Sequence, residues 1–193
     1  MNFCIAYVLA NILDSQIDYI GRLKLRTFMI EENEDKLRHR IRTLIVLFMV
    51  GLVVSGITAF PIETQLAILH ANVSSFPKYF QDWISEVYFA VKNTNENYPY
   101  LSYGTDWLAF AHIVIAVAFI GPLKDPIKNI WVIQFGMISC IMVFPLAFIA
   151  GSIRQIPFYW QLIDCSFGVF GFALLYYCFR NILKLERFKR LET

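Results

Sequence analysis

Charged residues are scarce in this sequence. Lysine, arginine, aspartate and glutamate make up 17% of the 193 residues, whereas about 25% is usual in soluble domains. The formal net charge at pH 7 is only +2, which argues against the large basic surface of a nucleic-acid-binding protein. We therefore expect no nucleic-acid partner.

The sequence also lacks the common motifs of enzymes and metal proteins. Its four cysteines form no C-x-x-C pair and share no zinc-type spacing with histidine. No Gly-rich phosphate loop, H-E-x-x-H or G-x-S-x-G motif occurs. Only His112 falls within a long apolar stretch, so the histidine pair of a transmembrane bis-histidine haem is missing. The sequence predicts no metal site and identifies no cofactor or catalytic residue.

Long apolar stretches, in contrast, are abundant. Hydrophobic residues make up 58% of the chain, against about 45–50% in soluble proteins. A bilayer core about 30 Å thick is crossed by about 20 apolar helical residues. Four stretches meet this requirement, at residues 43–62, 107–123, 130–151 and 158–179. We predict an all-α membrane protein, built as a four-transmembrane-helix bundle over residues 43–179.

Basic residues predict the orientation of these spans. Of the 17 lysine and arginine residues, 14 lie before the first span, between the second and third, or after the fourth. The other three, Lys78, Lys92 and Arg154, lie in the two remaining loops. Because basic loops stay on the cytoplasmic side, both termini are expected in the cytoplasm. Residues 1–42 are then an N-terminal cytoplasmic extension with a basic run, and residues 180–193 a basic cytoplasmic tail.

The chain begins with a fairly apolar segment that is too interrupted to be a span. Asn11, Asp14 and Asp18 break it, and no basic region precedes it, unlike a secretory signal peptide. We interpret residues 1–28 as a peripheral or poorly ordered extension. An alternative is that Met29 is the true first residue.

The segment at residues 63–106 is predicted to be the large loop on the outer side of the membrane. Within it, Ser75 and Pro77 predict the start of a helix. Apolar and polar residues then occupy opposite sides at helical spacing, which predicts an amphipathic helix. We favour a helix that covers the bundle over one that lies free on the membrane surface. The polar run at residues 93–100 predicts a loop that leads to the second span.

Two ionisable residues lie inside predicted spans, where a charge is expensive and marks a functional site by default. At a helical rise of about 1.5 Å per residue, His112 is about 7.5 Å and Asp164 about 9 Å inside the outer ends of their helices. Arg154, Asp106 and Gln161 lie near the same ends. These five residues form a predicted polar cluster near the outer leaflet, a candidate ligand or proton site.

The residues leave two interpretations of this cluster open. In one, Asp164 pairs with Arg154 or His112 only to join helices. In the other, the cluster binds a ligand or transfers a proton. We favour a non-enzymatic accessory protein, or one that binds a small ligand or lipid; the alternative is a membrane-embedded enzyme or proton-coupled carrier that uses His112 and Asp164. The expected partners are the lipid bilayer and either another membrane protein or a second copy of the chain.

Small residues predict which helix faces meet. Gly168 and Gly171 share one face of the fourth span, which predicts a groove for a neighbouring helix. In the first span, Gly51, Ser55 and Ala59 form a row at every fourth position. This row is predicted to be the packing face of that helix.

Three segments stand out between Asp106 and Phe172: WLAFAHIVIAVAFIGPLKDP, NIWVIQFGMISC and QLIDCSFGVFGF. They resemble a group of small polytopic integral-membrane proteins of bacteria. The resemblance extends over about residues 36–185 and implies a location in the bacterial inner membrane. No activity is assigned to that group, so the resemblance implies no functional residue.

Overall fold

The computed structural model describes residues 32–192, which are helical apart from short connections and contain no strand. The predicted extension at residues 1–28 lies outside the described residues. A 3-10 turn at Val73–Ser75 separates the second helix from the third. The α-helices are α1 (Glu32–Ala59), α2 (Ile62–Ala71), α3 (Lys78–Asn97), α4 (Pro99–Ala118), α5 (Ile120–Lys124), α6 (Ile130–Ile153) and α7 (Phe158–Glu192).

Four helical segments are long and apolar enough to cross a membrane: α1, α4 together with α5, α6, and α7. The shortest, α6, has 24 residues, and at about 1.5 Å per residue it exceeds a bilayer core of about 30 Å. The predicted all-α bundle of four transmembrane helices is confirmed, and the chain is a multi-pass membrane protein.

The first and last of these helices extend beyond the apolar stretches that predicted them, although α1 ends at Ala59 rather than at the predicted residue 62 because a turn containing Pro61 follows. α1 begins at Glu32, well before residue 43, and ion pairs one helical turn apart stabilise its polar start: Lys36 with Glu32 at 2.6 Å and Arg38 with Glu34 at 2.5 Å. α7 continues through the basic residues to Glu192. An apolar stretch predicts only the part of a helix that lies in lipid, whereas the helix itself can continue into water with polar residues.

The segment at residues 63–106 is more helical than predicted. The expected amphipathic helix is α3, but Pro77 is its N-cap and Ser75 lies in the preceding 3-10 turn without capping it. The predicted loop at residues 93–100 is wrong: α3 continues to Asn97 and α4 begins at Pro99. The proline occupies the first turn of α4, where its missing N–H leaves no hydrogen bond unmade.

The spanning helices form two pairs. α1 meets α4 at Gly56, where a Cβ would lie 2.7 Å from the Ala109 carbonyl oxygen. α6 packs along α7, and a Cβ at Gly168 would lie 2.8 Å from the Cys140 carbonyl oxygen. Backbones thus approach closely within each pair because glycine removes the side chain at the crossing.

The two pairs join tightly at one end, which we call the closed end. Its buried side chains come from α1, α6, α7 and the α4–α5 junction. Phe119 touches Gly136 and lies against the ring of Phe48, with centroids 4.8 Å apart. The buried residues of this core are Leu37, Ile41, Ile45, Phe119, Val132, Ile133, Cys140, Leu175, Cys178, Ile182 and Leu185.

Above the closed end α4 makes few contacts with α6 or α7, which shows that the two pairs diverge there. α3 lies across both pairs at the opposite end of the bundle. Its Tyr79 and Phe80 rings pack on Tyr159 of α7, with centroids 4.9 and 4.8 Å apart. Near its other end, Asn95 accepts a hydrogen bond from Ser102 of α4. The space between the two pairs is therefore closed at one end and spanned by α3 at the other.

Candidate functional site

The divergence of the helix pairs leaves a cavity of about 420 Å³, which we call the wedge cavity. Its walls come from α1, α4, α6 and α7, and most of its lining is apolar. Its polar side chains are Ser55, His112, Ser139 and Cys140. An apolar cavity with a few polar groups is the usual form of a small-molecule site.

The cavity exists because one predicted packing face does not pack. A Cβ at Gly51 would have no heavy atom within 4 Å, and Gly51 and Ser55 line the wedge cavity. The prediction that Gly51, Ser55 and Ala59 form the packing face of α1 is therefore wrong. The contact is made at Gly56 on another side of the helix, whereas Gly168 and Gly171 of α7 do meet α6 as predicted, at the Cys140 backbone and sulfur.

One ring nitrogen of His112 bonds within α4, and the other has no partner among residues 32–192. Its Nδ1 lies 2.8 Å from the Leu108 carbonyl oxygen. Because a carbonyl can only accept, Nδ1–H is the donor, and Nε2 of the neutral ring is an acceptor. No other residue between 32 and 192 hydrogen-bonds to this ring.

The two serines of the cavity differ in their hydrogen bonding. Ser139 donates its hydroxyl to the Phe135 carbonyl oxygen at 2.9 Å, one turn earlier in α6. Ser55, on the wall formed by α1, makes no side-chain hydrogen bond with any described residue. The cavity therefore offers one unused nitrogen acceptor, His112 Nε2, and one hydroxyl, that of Ser55, whose hydrogen no residue between 32 and 192 accepts.

Arg154 and Asp164 line a second, smaller cavity of about 280 Å³ between the end of α6 and the start of α7. We call it the Arg154 groove. Both side chains are exposed, and neither forms an ion pair within residues 32–192. The remaining walls are mostly aliphatic and include Val143, which also lines the wedge cavity.

The turn after α6 holds Arg154 at the rim of this groove. Gln155 adopts a left-handed backbone with φ of 57°. The Ile156 N–H donates to the Gly151 carbonyl at 2.9 Å and the Gln155 N–H to the Ser152 carbonyl at 3.2 Å. These two bonds are those of a Schellman motif, which ends the helix and satisfies its last carbonyls.

The structure divides the predicted polar cluster into four parts. Arg154 and Asp164 share the Arg154 groove, while His112 lies in the wedge cavity with no bond to Asp164. Gln161 is buried, donates to the Ile156 carbonyl at 2.8 Å, and packs on Gly151. Asp106 is half-buried in α4 and bonds to none of the other four.

Polar contacts above the wedge cavity were not predicted from the sequence. Asn95 of α3 donates to Glu63 of α2 at 2.5 Å and accepts from Ser102 of α4, so one side chain ties three helices together. His70 of α2 stacks on Tyr88 of α3, with ring centroids 4.8 Å apart. These residues follow no motif, and Glu63 lies 32 residues before Asn95, so only the fold brings them together.

The opposite end of the bundle carries a well-bonded turn between α5 and α6. Asp125 Oδ1 accepts the Lys128 backbone N–H at 3.1 Å, and Lys128 Nζ lies 3.7 Å from Oδ2. That backbone hydrogen bond is the main reason why the pKa of Asp125 is below its usual value of 3.8, and the Lys128 charge lowers it further. Asn129 donates to the Gly121 and Asp125 carbonyls at 3.1 and 2.9 Å.

Within residues 32–192, no three His, Cys, Asp or Glu side chains come together as metal ligands. Comparison of the chain with protein-family models, curated proteins and solved structures finds no match. The assignment of function therefore depends on the two cavities and the side chains that line them.

Proposed function

We propose that this multi-pass membrane protein is non-enzymatic and binds a lipid or another small apolar ligand in the wedge cavity. One observation carries the proposal: a largely apolar cavity of about 420 Å³ lies between the spanning helices. This volume falls in the range of about 300–1,000 Å³ that is usual for ligand sites. A close-packed interior leaves few voids larger than a water molecule, so a space of this size needs a specific explanation.

The rim of the wedge cavity supports entry from the lipid phase. Phe167 and Phe170 line the cavity, yet they are 70% and 73% exposed. Phe135 and Leu47, on other walls, are exposed as well. An apolar ligand dissolved in the bilayer could therefore reach the cavity without crossing water.

The Arg154 groove would contribute to ligand binding by holding a charged head group, or would bind a partner protein. Asp164 lies in a spanning helix without an ion-pair partner among residues 32–192. An uncompensated charge costs about 2.5–3.5 kcal/mol at the centre of a spanning helix and less towards its end. This cost favours a ligand, another membrane protein or a second copy of the chain that pairs with Arg154 and Asp164.

We further propose that the protein lies in the bacterial inner membrane with both termini in the cytoplasm. The distribution of 14 basic residues against three supports this orientation, and the resemblance described above supports the membrane. The polar cluster would then face the outer leaflet. A C-terminal green fluorescent protein fusion should fluoresce in bacteria, and a C-terminal alkaline phosphatase fusion should be inactive. An active phosphatase would contradict this orientation.

The alternative, a membrane-embedded enzyme or proton-coupled carrier that uses His112 and Asp164, has less support. The two side chains line different cavities and share no hydrogen bond. Direct proton transfer needs hydrogen-bond contact or one bridging water. An activity lost in both His112→Ala and Asp164→Asn, with the fold retained, would favour the alternative.

The proposal is tested by filling the cavity. Gly51→Leu adds a side chain where no atom lies within 4 Å. The matched control is Gly104→Leu, because Gly104 is equally open but does not line the cavity. Both variants and the wild type are purified in mild detergent and examined by native mass spectrometry and lipid extraction.

We expect a bound lipid or small apolar molecule in the wild type and in Gly104→Leu, and its loss in Gly51→Leu. An empty wild type would overturn the proposal. A molecule that Gly51→Leu retains in full would do the same, because it would bind elsewhere.

A further inference from the structure

We infer that the ligand of the wedge cavity carries a neutral hydroxyl head, which donates to His112 Nε2 and accepts from Ser55 Oγ. This inference rests on the proposed function and goes beyond it, because it names the chemical class of the ligand. It depends on the hydrogen-bonding state of two side chains on neighbouring helices, α4 and α1.

His112 supplies a hydrogen-bond acceptor that no residue between 32 and 192 uses. Its Nδ1 hydrogen is used by the Leu108 carbonyl oxygen at 2.8 Å, so the neutral ring offers only the lone pair of Nε2. The hydrocarbon core supplies no water to satisfy such a group. A ligand that donates a hydrogen bond at this position therefore gains an interaction that the bundle itself does not make.

Ser55 supplies a hydroxyl hydrogen that no residue between 32 and 192 accepts. Thr58 and Ser139 donate their hydroxyls to a carbonyl one turn earlier, that of Val54 at 2.8 Å and that of Phe135 at 2.9 Å. Ser55, like Thr105 and Ser152, makes no such bond with any residue between 32 and 192. Its hydroxyl hydrogen is free to be donated into the cavity that it lines.

The positions of the two residues bring these groups to one region of the cavity wall. Gly56, next to Ser55, is the point where α1 touches α4, and a Cβ there would lie 3.3 Å from His112 Cβ. Ser55 of α1 and His112 of α4 therefore both lie beside this helix crossing and line the same cavity.

The chemistry of the lining selects the head group. A hydroxyl is both a donor and an acceptor, and so complements an acceptor nitrogen together with a donor hydroxyl. A carboxylate cannot donate to Nε2, and an ammonium would bury a charge among apolar side chains at high cost. The remaining lining is largely aliphatic and aromatic, which fits an alkyl chain attached to the alcohol.

The test uses the full-length protein in lipid nanodiscs and a diazirine-bearing long-chain alcohol as photolabel. Unlabelled dodecan-1-ol and dodecyl methyl ether compete for the label; the ether keeps the chain but cannot donate a hydrogen bond. We expect the alcohol to compete about two- to tenfold better than the ether in the wild type, since one net hydrogen bond has this value.

Two variants locate the bond. In His112→Phe, which keeps a ring of similar size, alcohol and ether should compete equally for the label. In Ser55→Ala the advantage of the alcohol over the ether should shrink, but by less than in His112→Phe. Ser139→Ala is the matched control, because Ser139 lines the same cavity but already donates to Phe135. His70→Phe controls for the loss of an imidazole outside the cavity.

The outcomes separate this inference from the proposed function. If alcohol and ether compete equally in the wild type and Gly51→Leu blocks both, the cavity binds chains but the hydroxyl inference is wrong. If neither competes and Gly51→Leu changes nothing, the proposed function itself fails. Competition by a diacylglycerol as well as by dodecan-1-ol would identify a membrane lipid, whereas competition by dodecan-1-ol alone would identify a free alcohol; either result supports the inference.

Discussion

The bundle packs differently at its two ends. At the closed end, large side chains such as Phe119 and Leu175 are fully buried and press against the glycine at position 136. In the wedge cavity, Gly51 of the neighbouring α1 faces open space. The same residue type therefore has opposite roles: Gly136 admits neighbouring side chains, whereas Gly51 leaves room for a ligand. The closed end fixes the fold, and the adjoining wedge cavity, which shares Phe119 and Gly136 with it, is available for binding.

The largest predicted effect is the loss of a core side chain at the closed end. Leu175→Ala removes a residue that is 0% exposed and should lower the free energy of unfolding by about 2–5 kcal/mol, because the cavity left behind collapses only in part. Leu162→Ala in the same helix, where the side chain is 47% exposed, should cost far less. Unfolding in mixed micelles measures both, and equal losses would mean that the closed end is not a packed core.

A smaller effect is expected from adding a methyl group at a helix crossing. Gly168→Ala places a Cβ 2.8 Å from the Cys140 carbonyl oxygen, and backbone atoms cannot move aside cheaply, so we expect a loss of about 1–3 kcal/mol. Gly51→Ala should be neutral or stabilising, because it meets no atom and improves helix propensity. A larger loss of thermal stability in Gly51→Ala than in Gly168→Ala would contradict this difference between the two glycines.

One buried polar group should make the closed end less stable than it could be. Asn181 is 3% exposed, and its Nδ2 has no hydrogen-bond partner within residues 32–192. Asn181→Leu should therefore stabilise the protein by about 1–2 kcal/mol, since an unsatisfied buried donor carries a desolvation penalty of that order. Asn129→Leu should have the opposite sign, because Asn129 makes two hydrogen bonds. A loss of stability in both variants would show that Asn181 has a partner.

The smallest effect concerns the turn that follows α5. The pKa of Asp125 is lower in the folded protein than its usual value of 3.8, so its contribution is present above that pH and is lost as the pH falls through the folded pKa. We expect Asp125→Ala to cost less than about 1 kcal/mol at neutral pH, with the difference from wild type shrinking below pH 3.8. Asp125→Asn, which keeps the acceptor but does not titrate, is the control. A difference that grows in acid would contradict the assignment.

Much of the fold could be predicted because lipid imposes simple requirements. A spanning helix must be long and apolar, and the four stretches beginning at residues 43, 107, 130 and 158 had no other plausible use. Helix ends were predicted less well, since ion pairs such as Lys36 with Glu32 extend α1 into water. α2 was missed because its stability depends on tertiary contacts, including those of Glu63 and His70.

The candidate site could be predicted only in part. Residue counting gives the depth of His112 and Asp164 but not the direction in which each helix turns them, and the two line different cavities. The sequence does not show which of Gly51 and Gly56 packs against a neighbouring helix. Five residues apart, they lie about 140° apart around a helix that turns about 100° per residue, and only the packing of α4 decides which one faces a neighbour.

The most direct test of the difference between the two ends is photolabelling in nanodiscs by a phospholipid that carries a diazirine on its acyl chain, with the labelled residues identified by mass spectrometry. We expect labelling of the half-buried wedge residues Leu52 and Ile115, its loss in Gly51→Leu, and none at the fully buried Ile133. Ile138 and Ile141, which are exposed on the outside of α6, should be labelled in both proteins. Labelling confined to such outer residues and unchanged by Gly51→Leu would contradict an open wedge.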